Sequence, residues 1–289
     1  MKTTLLIPIY NDRESLKKLI EKINNEAKDL NSEISIVVIN DASSQQIIDN
    51  YQNLENIHSF EIINMRENRG HARCIAAGLK YTNEKEDFDF IIPMDGDGED
   101  RPEEIKMLIE EAKNYPDTVI TANRVKRSEG LIFKICYQIH KYLTYTFTGQ
   151  SIKFGNYTCL PKSIVSKMVQ EPATWNSFSG SLANLTKDRK SISSIRGVRY
   201  FGPSKMSYIN LLKHSLSIIS VFRKTVLVRS VIFLAAYLFL MLQHLSVVTL
   251  IPVALIILMI ISIFYLSKRE NLNELKNSLE NILTKSIIR

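Results

Sequence analysis

Asp95 and Asp97 stand two residues apart where an apolar run, Phe88 to Met94, gives way to acidic residues. At a strand end, two carboxylates so spaced can converge on one hard cation. Gly96 and Gly98 let the backbone bend there and come close to a ligand. A helix is predicted to open at once, with Pro102 at its first position and Glu103 and Glu104 in its first turn. An EF-hand calcium loop is excluded, because counting from Asp95 puts Asp100 and Lys106 where that loop needs Gly and Glu. A solvated acidic turn is the remaining alternative. The setting, after a buried strand and before a capped helix, favours the metal.

The elements that must position these carboxylates alternate along the chain. Leu5 to Ile9 reads as a buried strand, and Asn11 with Glu14 as a capping box for the helix after it. Leu16, Leu19, Ile20, Ile23, Ala27 and Leu30 recur at helical spacing, the mark of a face packed on a sheet. Ile34 to Ile39 is the near-continuous branched run of a strand covered on both faces. It ends in the turn Asn40-Asp41-Ala42-Ser43-Ser44, followed by a weaker helix near Ile47 to Leu54 and a strand from Phe60 to Met65. Asn68-Arg69-Gly70-His71 opens a helix whose small residues, Ala72, Ala76 and Ala77, permit close packing.

Strand Phe88 to Met94, helix Pro102 to Asn114 and strand Thr118 to Asn123 continue the series. Such alternation implies an α/β fold with a mostly parallel sheet and ligands at the carboxyl ends of its strands. The turns at Tyr10-Asn11, Asn40-Asp41, Asn68-Arg69 and Asp95-Gly96-Asp97 all fall on that edge. A Gly-x-Gly-x-x-Gly or P-loop pattern is absent, so ordinary dinucleotide and ATP sites lose support. Beyond it come a helix with apolar and basic residues (Leu131 to Phe147), a strand (Phe154 to Leu160), a helix (Ser163 to Val169) and a strand (Ile192 to Phe201).

The 289 residues, 45% hydrophobic with a net charge of +7, provide for one domain of about 200 residues and something extra. Cys74, Cys136 and Cys159 are too scattered for a zinc site or disulfide frame and read as buried thiols in a reducing compartment. The first residues lack the apolar run of a signal peptide, so the first domain, residues 1–209, is expected in the cytoplasm. Tyr208, Leu211, Leu212, Leu216, Ile219 and Phe222 form the stripe of a juxtamembrane amphipathic helix (210–225), with domain docking as its rival.

Val226–Leu245 and Val247–Leu266 each hold 20 residues, which at about 1.5 Å per residue reach roughly 30 Å, the hydrocarbon thickness of a membrane. Arg229, the one formal charge within them, is placed to snorkel to the headgroups. Arg223 and Lys224 before the pair and Lys268 and Arg269 after it predict a hairpin with both ends cytoplasmic. The remainder, 267–289, is expected to be a cytoplasmic tail forming a short amphipathic helix.

Five stretches in order resemble one family: Ile7-Pro8-Ile9-Tyr10-Asn11-Asp12, Val38-Ile39-Asn40-Asp41-Ala42-Ser43, Asn68-Arg69-Gly70, Met94 to Glu103, and Tyr200-Phe201-Gly202-Pro203-Ser204-Lys205. They are similar to the polyprenyl-phosphate glycosyltransferases of glycosyltransferase family 2, including dolichol-phosphate mannose synthases. The resemblance covers roughly residues 3–210 and extends into the two-helix anchor of one branch. It implies the GT-A fold and an inverting transfer of sugar from a nucleotide-diphosphate sugar to a polyprenyl (undecaprenyl or dolichyl) phosphate. By position, Asp95 and Asp97 would be catalytic and hold Mg2+ or Mn2+, and Glu99 would stand at a third metal contact. Pro8, Tyr10, Asp12, Asp41 and Arg69 would bind the nucleotide. Arg124, Arg127, Arg199, Ser204 and Lys205 would receive the lipid phosphate. His71 stands where the family often has Lys, Asn40 where it has Asp, and Asp12 where it has Glu. Gly155-Asn156-Tyr157-Thr158 follows the family pattern only loosely.

Two rival functions stay open: transfer to a hydroxyl of a glycolipid or glycan, and an inactive nucleotide-sugar-binding membrane scaffold. A homo-oligomer is left open as well. Nucleic acid is not expected as a partner, since the basic excess tracks the membrane end. Attack by a hydroxyl needs a base, whereas a phosphomonoester is already largely dianionic at neutral pH. Between Gly130 and Asn210 the only carboxylates are Glu171 and Asp188, against eleven Lys and Arg. That balance suits an anionic acceptor.

Overall fold

Branched apolar runs become strands because each places both of its faces against helices. The computed structural model describes residues 1–45, 51, 53–126, 131–203 and 208–289. Among these, the strands are β1 (Lys2–Ile9), β2 (Glu33–Asn40), β3 (Ser59–Met65), β4 (Phe90–Pro93), β5 (Val119–Lys126), β6 (Phe154–Pro161), β7 (Arg189–Ile195) and β8 (Ile282–Ile287). They form one sheet ordered β7-β5-β6-β4-β1-β2-β3-β8. β4, β1, β2 and β3 are parallel neighbours. β6 runs antiparallel between β4 and β5, and β7 is parallel to β5.

Alternation along β1 shows why its run is apolar throughout. Leu5 and Ile7 join a core with Leu16, Leu19 and Ile20 of α1 (Arg13–Ala27) and with Ile105 and Leu108 of α3 (Ile105–Asn114). Leu6 faces the opposite core, beside Ile75 and Leu79 of α2 (His71–Lys85), Val165 of α5 (Lys162–Met168) and Leu182 of α6 (Phe178–Leu185). The small residues of α2 allow the expected close approach: a β-carbon on Gly78 would lie 2.3 Å from Leu6 Cδ1.

The remaining helices are α4 (Leu131–Thr148), α7 (Tyr208–Ser220), α8 (Arg223–Met241), α9 (Val247–Ser267) and α10 (Leu272–Lys276). Both α8 and α9 are long and apolar enough to cross a membrane, and only 11% and 6% of their apolar windows is buried, which separates them from core helices. α7 docks on the domain through its second half. Ile218 and Ile219 are buried, while Ile209 and Leu212 are exposed.

Several expectations are corrected. Asn11 does not cap α1; its backbone is left-handed at φ 51° and its Oδ1 accepts from Ser44 N at 2.9 Å, leaving Asp12 at the cap position. β7 ends at Ile195, not near Phe201, because the next residues leave the sheet for the acidic turn: Gly197 N donates to Glu99 O and Tyr200 N to Asp97 O, at 2.8 and 2.9 Å. Arg229, whose snorkelling this structure does not bear on, has a partner within the protein. Its guanidinium donates to Thr146 O at 2.8 Å, neutralising the carbonyl end of α4, which stops at Gly149 with φ 73°. The tail is not one amphipathic helix. After the single turn of α10 it becomes β8, antiparallel to β3, because the open edge of the sheet offers backbone partners that a solvated helix lacks. The helix expected near Ile47 to Leu54 falls largely outside the described residues. Cys74 and Cys159 are buried free thiols.

Gly78→Ala is expected to lower stability by about 1–3 kcal/mol in denaturant unfolding. In a double-mutant cycle with Leu6→Ala, the two losses should fall short of additive, because the truncated leucine makes room for the methyl.

Candidate functional site

The carboxyl ends of β1, β2 and β4 place Asp12, Asp41 and Asp95 along one edge. Pro8 lies in β1, and Tyr10, just beyond it, is 48% exposed. Asp41 is buried after β2, and its two oxygens accept from Arg69 N and Gly70 N, both at 2.9 Å. Asn68 Nδ2 donates to Asp41 O at 3.1 Å. Burial raises the Asp41 carboxyl above its ordinary range, against the pull of these two amides. The β2 and β3 loops are thereby locked together through one carboxylate.

The acidic turn after β4 is built differently. Asp100 Oδ2 accepts from Asp95 N at 2.9 Å, and its Oδ1 accepts from Arg124 Nη2 at 2.9 Å. Asp97 Oδ1 accepts from Glu99 N at 3.0 Å. Gly98, at φ 89°, lies under the Tyr200 ring, where a β-carbon would come within 2.5 Å. The close approach anticipated for a ligand is thus made at Gly98 by the chain itself.

Three guanidiniums reach into this turn. Arg199 donates to Asp97 Oδ2 at 2.6 Å and pairs with Asp12 through its other nitrogen. Arg196 Nε donates to Glu99 Oε2 at 2.8 Å. Arg124 is 24% exposed at its side chain and is paired with Asp100, which is 2% exposed. Five carboxylates, Asp12, Asp95, Asp97, Glu99 and Asp100, therefore face three arginines. Burial and the charge of Asp97 raise both the Asp95 and the Glu99 carboxyls. Burial and the charge of Asp95 push Asp100 up to about 6.

Asp95 Oδ1 is open to a hard divalent cation, and Asp97 would join it on releasing Arg199, which holds its Oδ2. Asp95 Oδ1 is buried with no hydrogen-bond donor, although His71 Nε2 lies 3.3 Å away. The charge deficit of the cluster also equals that of one divalent ion. Among the described residues no three His, Cys, Asp or Glu side chains gather as a metal cage. Glu99 is engaged by Arg196, as Asp97 is by Arg199. Two carboxylates completed by a ligand's phosphates is the usual environment of Mg2+ at nucleotide sites.

Asn156 and His71 meet beside this turn, with Asn156 Nδ2 2.8 Å from His71 Nε2. Desolvation lowers the His71 pKa, against the charges of Asp100, Asp97 and Asp41. The sequence carried no signal for Asp100 or Arg196 as members of the site, since their partners lie 24 and 97 residues away. Arg127, Ser204 and Lys205 lie outside the described residues. Arg124 sits inside the acidic turn, not on an open acceptor surface. Arg124→Leu should therefore cost about 3 kcal/mol in denaturant unfolding, and adding Asp100→Asn should return much of that loss. A side chain that only met an acceptor would give no such coupling.

A family model described as glycosyl transferase family 2 matches residues 4–164. The chain is 30% identical over 221 residues to the undecaprenyl-phosphate 4-deoxy-4-formamido-L-arabinose transferase of Proteus mirabilis, covering 73% of this chain and 64% of that one. It is 33% identical over 223 residues to the transferase of the same name from Photorhabdus laumondii, covering 73% and 65%. The matches thus span slightly less than two thirds of these relatives. Among solved structures, glucosyl-3-phosphoglycerate synthase from Mycobacterium tuberculosis, in complex with Mn2+, UDP and phosphoglyceric acid, superposes with a TM-score of 0.57 at 10% identity, covering 78% of each chain. Mannosyl-3-phosphoglycerate synthase from Rubrobacter xylanophilus does so with a TM-score of 0.54 at 12% identity, covering 86% of this chain and 77% of that one. These two likenesses show the fold, a mostly parallel α/β GT-A sheet. With more than half of its residues matched by the family model, the chain belongs to glycosyl transferase family 2.

Proposed function

We propose that this chain transfers a sugar from a nucleotide-diphosphate sugar to a polyprenyl phosphate, of the undecaprenyl kind that its relatives' names specify, at the cytoplasmic face of a membrane that α8 and α9 cross as a hairpin. The observation that carries the reading is where the carboxylates of the acceptor half point. Asp188 stands at the start of β7, where its Oδ2 accepts from Thr118 Oγ1 at 3.2 Å, at the sheet edge opposite the acidic turn. Glu171 caps a 3₁₀ turn through Ala173 N and lies in a cleft with Arg223 and Glu270. Neither is at the acidic turn, whereas Arg196 and Arg199 both are.

In this reading a phosphate oxygen of the lipid attacks the anomeric carbon of the donor sugar. The bond from that carbon to the diphosphate oxygen breaks with its electron pair, and the nucleoside diphosphate departs. The attack inverts the anomeric centre. Because the attacking oxygen is already anionic, no protein group has to remove a proton. Asp95 and Asp97 would hold a divalent cation, Mg2+ or Mn2+, which when bound neutralises the developing diphosphate charge. Pro8, Tyr10 and Asp41 line the nucleobase side, with Asp12 and Arg69 toward the nucleotide. Arg199 is positioned between the donor and acceptor halves.

Asp97→Asn is expected to lower transfer by about 10²–10³-fold while the unfolding midpoint stays put, and excess chelator should abolish turnover of the wild-type chain. Glu171→Gln and Asp188→Asn should each keep most activity with labelled nucleotide-sugars and polyprenyl phosphate; loss in either, with donor binding intact, would favour a hydroxyl acceptor. In sealed membranes, a Ser246→Cys probe should react with an impermeant thiol reagent from the non-cytoplasmic side, and a Ser267→Cys probe only from the cytoplasmic side. The reverse labelling would overturn the hairpin's orientation.

A further inference from the structure

Two loops of the proposed donor pocket are held by the tail that follows the hairpin. Asn281 is 6% exposed and uses its whole amide. Its Oδ1 accepts from Glu67 N at 3.2 Å, and its Nδ2 donates to Glu67 O at 3.0 Å. Its backbone carbonyl accepts from Arg66 N at 2.7 Å. These bonds fix the chain immediately before Asn68-Arg69-Gly70, whose amides hold Asp41.

A second strut runs across three adjacent strands. Thr284 of β8 stands opposite Asn64 of β3, which stands opposite Asn40 of β2. Asn64 Nδ2 donates to Thr284 Oγ1 at 3.0 Å, and Asn40 Nδ2 donates to Asn64 Oδ1 at 2.8 Å. Asn40 Oδ1 accepts from Ser43 N at 3.1 Å, and Ser43 Oγ accepts from Asn11 N at 2.8 Å. The rank therefore ends in the loop that carries Asp41. That loop holds Ala42 at φ 55°, a left-handed conformation that a β-carbon disfavours and that persists only where its surroundings impose it.

The rest of the tail is anchored to match. Asn271 caps α10, and Leu275 packs with Ala76 and Trp175. Trp175 Nε1 donates to Glu274 Oε2 at 2.6 Å, beneath the Arg73 guanidinium of α2.

We propose that the segment Asn281 to Thr284 is a positioning element of the donor pocket, with Asn281 and Asn64 as positioning residues. They act through Glu67 and Asn40 on Asp41 and Ser43, and touch no nucleotide themselves. The proposal rests on the donor-pocket reading above. A strand that only closed the sheet edge would stabilise the fold without setting nucleotide affinity.

The test uses the full chain in detergent, with hydrogen exchange over residues 40–45 and 66–70 and with binding of UDP, GDP, CDP and dTDP in the presence of Mn2+. Asn281→Ala should speed exchange in both segments and weaken nucleotide binding roughly three- to tenfold, the loss of a net hydrogen bond. Thr284→Val keeps a β-branched side chain at an exposed strand position. It should leave the unfolding midpoint unchanged, speed exchange over residues 40–45 and weaken binding by about twofold. Thr284→Ser should behave as wild type. Wild-type exchange and affinity in both Asn281→Ala and Thr284→Val would overturn the proposal, as would a lowered midpoint with unchanged affinity. Faster exchange in the variants of a wild-type chain that binds none of UDP, GDP, CDP and dTDP would refute the donor-pocket reading and leave the positioning contacts standing.

Discussion

Like charges held within one turn repel strongly once water is withdrawn, and the acidic turn after β4 brings Asp95, Asp97, Glu99 and Asp100 together in that condition. Much of the surrounding architecture answers this one problem. Arg124 arrives along β5, while Arg196 and Arg199 arrive on the segment after β7. β7 stops at Ile195 so that this segment can fold over the turn, where a β-carbon on Gly197 would collide with the Gly98 carbonyl. Compensation is incomplete, since five carboxylates, Asp12 included, face three guanidiniums.

Much of the parallel sheet could be read from the sequence because its signals are local. The branched runs at Leu5 to Ile9 and Ile34 to Ile39 and the apolar stripe of α1 each specify an element within one window. The acidic turn could be located for the same reason, as Asp95 and Asp97 are neighbours. What stayed hidden depends on distant partners. Nothing near Asp100 announces that Arg124 will meet it, and nothing near Ile282 announces an open sheet edge at β3. Asn11 shows the other limit. Its type suits a cap, but it also suits a left-handed turn, and the Ser44 amide decides between the two.

The apolar hairpin and the globular part meet through polar contacts at their boundary. Arg223 opens α8 and pairs with Glu270 just past α9, so the two ends of the hairpin are joined where they leave the apolar region. Further along α8, Arg229 reaches the end of α4. Both cations thereby fix helices relative to one another.

The placement of β8 also has a bearing on how the chain is made. Thr284 follows its partner Asn64 by 220 residues, so β3 leaves the ribosome long before the strand that covers it. In the interval its edge stands unpaired, open to association with other chains. The two apolar helices are synthesised within that same interval. Completion of the sheet is therefore deferred until the hairpin has been produced, and a nascent chain stalled before that point would carry the acidic turn without the strand that closes the opposite margin of the sheet. Biosynthetic order thus separates assembly of the charged turn from assembly of the β3 edge, with the two apolar helices made between them.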